Sequence, residues 1–170
     1  MIELEAAFNY VLRIDARIKT KISVKPLSLE MVYDTGAGTT TISRQVALDA
    51  GYKIKQSNDY IDGLGGRVKA DYTVIPDLIL GGVSLGPVYV HIVDFHMELA
   101  RKSSAILGMN VLSWFKITQE CFWNANLMRY DKEILLLDPR FDINDRIDAD
   151  KFYPFNREQR FGSVFIMDNG

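Results

Sequence analysis

The feature that most restricts this chain is its punctuation. Apolar runs of a few residues follow one another, separated by glycine, proline or Asp/Asn turn signals, and no long stretch keeps a helical period. Runs this short suit strands better than helices, which need ten or more patterned residues. Leu78-Ile79-Leu80 and Val83-Ser84-Leu85 flank Gly81-Gly82, and Val88-Tyr89-Val90-His91-Ile92-Val93 reads as a buried strand. Residues 6–18 alternate so that Phe8, Tyr10, Leu12 and Ile14 share one face of a single strand. A further strand reaches Met31-Val32-Tyr33, and residues 52–61 and 67–75 flank the glycine-rich tip Asp62-Gly63-Leu64-Gly65-Gly66, a hairpin signature. Asn126 to Tyr130 and Glu133 to Leu137 predict a closing hairpin around Asp131-Lys132. Only two places favour helix. Ser43 can cap a short one that Gly51 ends, and Gly108 leads into a turn or two from Met109. The fold class expected is all-β with one or two short helices.

With 170 residues, 48% apolar and 25% charged, the chain can build one compact domain. After Pro139 the composition turns to Asp, Arg and Asn with scattered aromatics. The division expected is therefore a domain over residues 1–139 and a surface tail over 140–170, in which Phe161 to Met167 can add a strand. A net charge of -2 offers no basic field for nucleic acid and no attraction to an anionic membrane. The first twenty residues carry no basic-then-apolar leader pattern, and Ala105 to Phe115 is about half the length that crosses a bilayer. Cys121 is the single cysteine; it excludes an intramolecular disulfide, fits a reducing cytoplasmic setting, and reads as a small buried residue.

Asp34 ends an apolar strand, where a carboxylate is costly unless donors or a partner surround it. The five residues after it, Thr-Gly-Ala-Gly-Thr, are small or hydroxylated, so their backbone N–H groups can approach both the carboxylate and a bound substrate. Taken alone, Asp-Thr-Gly is an ordinary Asx-type turn.

The surroundings say more. Val32-Tyr33-Asp34-Thr35-Gly36-Ala37-Gly38-Thr39-Thr40-Thr41-Ile42-Ser43 resembles the active-site segment of the retropepsin-like aspartic peptidases. Ala105-Ile106-Leu107-Gly108-Met109-Asn110-Val111-Leu112, about seventy residues on, resembles that family's second mark, an aliphatic pair and a glycine entering a helix. Asp62 to Gly66 falls between them, where the family carries the flap that closes over substrate. The resemblance spans roughly residues 25–138 and implies a retropepsin-like acid-protease barrel with one active-site lobe per chain.

It also implies a function. Because the chain holds one Asp-Thr-Gly and no second copy of the motif, the resemblance implies a homodimer in which two Asp34 carboxylates, one per subunit, activate water as an aspartic endopeptidase. Close carboxylates of this kind share a proton, a known property of such dyads. Thr35 and Gly36 complete the catalytic loop. Ala37 and Gly38 are expected to meet an extended peptide or protein substrate, covered by Leu64, Gly65 and Gly66 of the flap. Ile106 and Leu107 would support the loop from beneath. No metal and no organic cofactor is required. Gly38 stands where retroviral members often carry an acidic residue, so their subsite preferences do not transfer.

Other chemistries fit less well. His91, Asp94 and His96 form a His-x-x-Asp-x-His string, but a strand sends His91 and Asp94 to opposite faces. The glycines after Asp34 lack the Lys-Ser/Thr pair of a phosphate loop, and Thr41 stands where a dinucleotide fingerprint needs glycine. A phosphoryl-accepting aspartate usually has an acidic or lysine helper nearby, and Thr35 and Gly36 occupy those places. The rival from another class is a dimeric peptide-binding or scaffolding module that keeps the fold without hydrolysis.

Overall fold

The computed structural model describes residues 1–9, 11–63, 66–94 and 105–140. In chain order it contains β1 (Ile2–Asn9), β2 (Val11–Ile18), β3 (Leu27–Tyr33), β4 (Thr41–Ser43), α1 (Arg44–Asp49), β5 (Lys55–Gly63), β6 (Gly66–Ile75) and β7 (Leu78–Leu80). It continues with β8 (Val83–Ser84), β9 (Val88–Val93), β10 (Ala105–Leu107), α2 (Met109–Leu112), β11 (Phe115–Asn124) and β12 (Arg129–Pro139). The expected all-β class with two short helices is what the chain adopts.

The strands hydrogen-bond in the order β11-β12-β1-β2-β3-β10-β4-β9-β6-β5, with β7 joined to β2 and β8. Most neighbours are antiparallel; β10 runs parallel to β3, and β4 parallel to β9. One detail of this order positions the candidate site. Strands β3 and β4 are consecutive in sequence, yet β10 lies between them, parallel to one and antiparallel to the other. The segment joining β3 to β4, residues 34–40, must therefore pass over the end of β10. Asp34 is its first residue.

Local chemistry explains the elements. Ile14, Ala16 and Ile18 of β2 are buried while Asp15 and Arg17 are exposed, the period of two of a strand with one face on a core. Strand β9 is buried at every position but His91, with β4 and β6 flanking it. Gly81 and Gly82, with φ of 53° and 83°, make the two-residue turn from β7 to β8. Helix α1 begins where Ser43 accepts a hydrogen bond from the Val46 N–H at 3.2 Å, and it buries Val46 and Ala47. The core gathers Ile14, Ile18, Met31, Ile42, Leu107 and Phe115, all at most 2% exposed. Each such side chain contributes about 1.5–3 kcal/mol relative to exposure.

Three expectations change. Residues 6–18 form a hairpin, not one strand: β1 and β2 pair with Phe8 opposite Leu12 and Asn9 opposite Val11. The sequence between the two strands holds neither glycine nor proline, so the alternation ran on unbroken. Secondly, Asp131 and Lys132 lie inside the eleven-residue strand β12, and the turn sits earlier. Asn124 makes that turn by accepting from the N–H groups of Asn126 and Leu127, and Met128 adopts a φ of 51°. The partner strand is β11. Thirdly, Cys121 is exposed on β11 rather than buried. The tail expected over 140–170 lies, from residue 141, outside the described residues.

Candidate functional site

Asp34 leaves β3 with its backbone N–H donating to the Leu107 carbonyl at 3.2 Å, so β10 holds the start of the loop. The Asp34 carboxylate turns back on its own loop and accepts the Gly36 N–H at 2.8 Å, and the Asp34 carbonyl accepts the Ala37 N–H at 3.3 Å. Here Gly36 has a steric reason. A Cβ added there would sit 3.1 Å from Asp34 Oδ1 and push against the carboxylate. Asp34 and Ala37 are partly buried, whereas Thr35, Gly36 and Gly38 are exposed. The loop thus presents a carboxylate and a run of small residues to solvent.

Helix α2 fastens the other side. Its first N–H groups lack partners within the helix, and Gly108 offers no side-chain cap. The loop supplies the acceptors instead: Met109 N–H donates to the Ala37 carbonyl at 2.7 Å, and Asn110 N–H to the Gly38 carbonyl at 3.0 Å. Gly108 is forced by this closeness, since a Cβ there would lie 2.6 Å from the Thr39 carbonyl carbon and 2.8 Å from the Thr40 nitrogen.

Beneath the loop lies a polar cluster. Thr40 is fully buried. Its hydroxyl donates to Asn110 Oδ1 at 2.8 Å and accepts the Gly108 N–H at 3.1 Å. Its backbone N–H also reaches Asn110 Oδ1, at 2.7 Å, and Asn110 Nδ2 donates to the Tyr89 carbonyl at 2.9 Å. One side chain therefore links the loop, α2 and β9. The sequence reading gave the Thr40–Asn110 pair no role. The only available signal was the buried-polar pairing of a threonine-rich segment with an asparagine entering a helix, about seventy residues apart. Of the two expected supports, Leu107 is buried under the loop and Ile106 is partly exposed.

The hairpin expected across residues 52–75 is formed by β5 and β6. Strands β5 and β6 pair from Lys55↔Tyr72 to Gly63↔Gly66. Asp62 and Arg67 face each other at 3.5 Å, and the Arg67 guanidinium lies 5.0 Å from the Tyr60 ring centre. Gly66 is exposed, with open space around it; Leu64 and Gly65 lie outside the described residues.

At the base of this hairpin, Asp71 accepts from Arg44 Nη2 at 2.8 Å and from the Ser57 N–H at 3.3 Å. The hydrogen bond from Arg44 holds the Asp71 carboxyl below its ordinary range in spite of burial, and Asp71 and Asp94 together raise the Arg44 guanidinium. Arg44 also reaches Asp94 at 3.3 Å, so one cation ties α1 to β6 and to the end of β9.

Asp94 is thus engaged by Arg44, and His96 lies outside the described residues. His91 stands between Thr41 of β4 and Tyr72 of β6, with the Tyr89 ring 5.5 Å away. Both of its ring nitrogens are buried with no hydrogen-bond partner among the described residues, and burial lowers its pKa to about 4. Among the described residues no three His, Cys, Asp or Glu side chains gather as a metal site. No helix among them is long and apolar enough to cross a membrane.

With this geometry in view, the chain can be set beside known proteins. An aspartyl protease family model matches residues 18–111, more than half of the chain, from β2 through the loop and hairpin into α2. No curated protein matches. Among solved structures it is similar to a retropepsin-like aspartic protease from Rickettsia conorii, with 20% identity, a TM-score of 0.52, and coverage of 78% of this chain and 89% of that one. A weaker likeness, 21% identity and a TM-score of 0.46, is to EIAV protease complexed with the inhibitor HBY-793, covering 61% of this chain and 86% of that one. The fold is retropepsin-like, and the chain belongs to the aspartyl protease family.

Proposed function

We propose that this chain is an aspartic endopeptidase that works as a homodimer, with Asp34 of each subunit forming the catalytic pair. The observation that carries the reading is the Asp34 loop itself. A partly exposed carboxylate is held by the Gly36 N–H, in a segment of small residues pinned by backbone bonds to β10 and α2. Such a loop is preorganised, and the chain has only one of them. A second copy supplies the other carboxylate.

In the reaction the ionised member of the pair takes a proton from water as that water attacks the scissile carbonyl. The protonated member gives its proton to the carbonyl oxygen, forming a neutral tetrahedral diol. Collapse of the diol returns a proton to the leaving nitrogen and breaks the C–N bond. Thr35 holds the two loops together, Gly36, Ala37 and Gly38 line the path of an extended peptide, and the hairpin tip at Leu64, Gly65 and Gly66 covers it. Residues 1–139 form the catalytic domain and 140–170 an extension. The exposed, unbridged thiol of Cys121 suits a reducing, cytoplasmic setting.

The test compares wild type with Asp34→Asn on a diverse peptide mixture from acidic to neutral pH. Products made by wild type alone support the reading. Equal cleavage by both removes Asp34 from the chemistry, and no cleavage by either favours the binding module.

A further inference from the structure

The net charge of -2 averages over an uneven surface. Between Asp15 and Glu30 the chain carries Arg17, Lys19, Lys21 and Lys25 and no acidic residue. Residues 19–26 join β2 to β3, and every residue from Lys21 to Pro26 is exposed. Among them Ile22 is 70% exposed and Val24 fully so. The loop is nevertheless held in shape. The Thr20 hydroxyl donates to the Ser23 carbonyl at 2.9 Å and accepts the Ser23 N–H at 3.1 Å, and Ser23 Oγ accepts the Lys25 N–H at 3.0 Å. The Lys21 N–H donates to the Ala50 carbonyl at 2.9 Å, and the Tyr52 hydroxyl donates to the Lys19 carbonyl. The loop thus rests on the end of α1, where a Cβ added to Gly51 would fall 2.5 Å from Ile22 Cγ2. Helix α1 contributes Leu48, 56% exposed, and Lys53 beyond it is exposed too.

We propose that this face docks on an anionic phospholipid surface, with Ile22 and Val24 entering the headgroup layer and Lys19, Lys21, Lys25 and Lys53 meeting the lipid phosphates. None of the four lysines has an ion-pair partner among the described residues, so their charge acts outward. Asp49 is the one carboxylate on α1, and it accepts a hydrogen bond from Gln45 at 2.7 Å. In Lys21-Ile22-Ser23-Val24-Lys25 each aliphatic residue has a cation beside it. Short apolar side chains can then enter the interface while the lysine stems reach back to the phosphates. A stable protein interface engages about 20–30 residues a side, more than this loop and the end of α1 supply. A bilayer needs no matching shape, which favours lipid over an acidic protein. The face stands apart from the chemistry proposed for Asp34. That residue follows the other end of β3, so seven residues of strand set the two roughly 20 Å apart. Docking therefore leaves the Asp34 loop outside the contact.

Co-sedimentation with vesicles tests it, using phosphatidylcholine alone and phosphatidylcholine mixed with phosphatidylserine. Wild type is expected on the mixed vesicles only, and its binding should weaken as salt rises. Lys21→Gln and Lys25→Gln should each weaken binding about fivefold, and Val24→Ser should weaken it as well; all three side chains are exposed. Val24→Cys in a Cys121→Ser background, labelled with a polarity-sensitive dye, should report transfer to an apolar setting on the mixed vesicles. Failure to bind mixed vesicles, binding indifferent to both lysine changes, or a dye that stays in water while the chain sediments would each overturn the proposal. Lysine-dependent binding to polyglutamate with none to vesicles would overturn it too, assigning the face to an acidic protein.

Discussion

Asn110 Oδ1 accepts two hydrogen bonds from Thr40, one from its backbone N–H at 2.7 Å and one from its hydroxyl at 2.8 Å. Thr40 ends the loop that Asp34 begins, and it is fully buried. Removing the amide leaves two buried donors without an acceptor, a cost on the order of 2–3 kcal/mol. Asn110→Ala should show that loss in urea unfolding. Asn110→Asp keeps the acceptor but sets an anion against the Tyr89 carbonyl, and should fall between wild type and alanine. Equal stability of all three would show that the cluster does not hold the loop.

Gly108→Ala should be more damaging than its size suggests. The new Cβ meets backbone atoms of Thr39 and Thr40, which cannot rotate away as a side chain could. Separating α2 from the loop is the only relief, at a cost of about 1–3 kcal/mol and with the carboxylate misplaced. Stability to urea and peptide cleavage should both decline. Gly38→Ala meets no atom within 4 Å and serves as the control for stability.

His91 predicts a pH dependence. Its folded pKa is lowered to about 4 from 6.5, so as pH falls the unfolded chain takes the proton first. The stability present above the unfolded value is therefore lost between about pH 6.5 and about pH 4, by at most roughly 3 kcal/mol. His91→Phe removes this titration. Denaturation at pH 7 and pH 4 should show a smaller drop for the variant; equal drops would mean that His91 is hydrated or paired.

Arg44→Met tests the clamp at the base of the hairpin. Asp71 has a depressed folded pKa, so its contribution is complete above the unfolded carboxylate value, near 3.9, and fades as pH falls through the folded one. The variant should lose about 1 kcal/mol at neutral pH, since Arg44 is partly in water. The gap between variant and wild type should close in strong acid. A gap that persists there would assign the loss to packing.

Much of this was legible in the residues because their chemistry is local. Gly81-Gly82 marks a turn wherever it lies, Ser43 caps the helix that follows, and the aliphatic-Leu-Gly run before Met109 marks a strand end. The elements missed depend on contacts distant in sequence or on turns without their usual residues. Asn9 and Val11 pair across a residue that is neither glycine nor proline, and from Thr118 to Trp123 β11 shows no alternation because both its faces are exposed there. The Thr40–Asn110 pair spans seventy residues, and nothing in either local segment announces the other. The chemistry around Asp34 could be read; the clamp that steadies it could not.

The central claim, that two Asp34 carboxylates from two chains make one site, is tested most directly by mixing. Wild type and Asp34→Asn are equilibrated at fixed total concentration, and cleavage is followed as their ratio changes. If each site needs both aspartates, an equal mixture retains about one quarter of the wild-type rate, because mixed dimers are dead. A rate that falls in simple proportion, to about one half, would mean that a single chain carries its own complete site, and the account would be wrong.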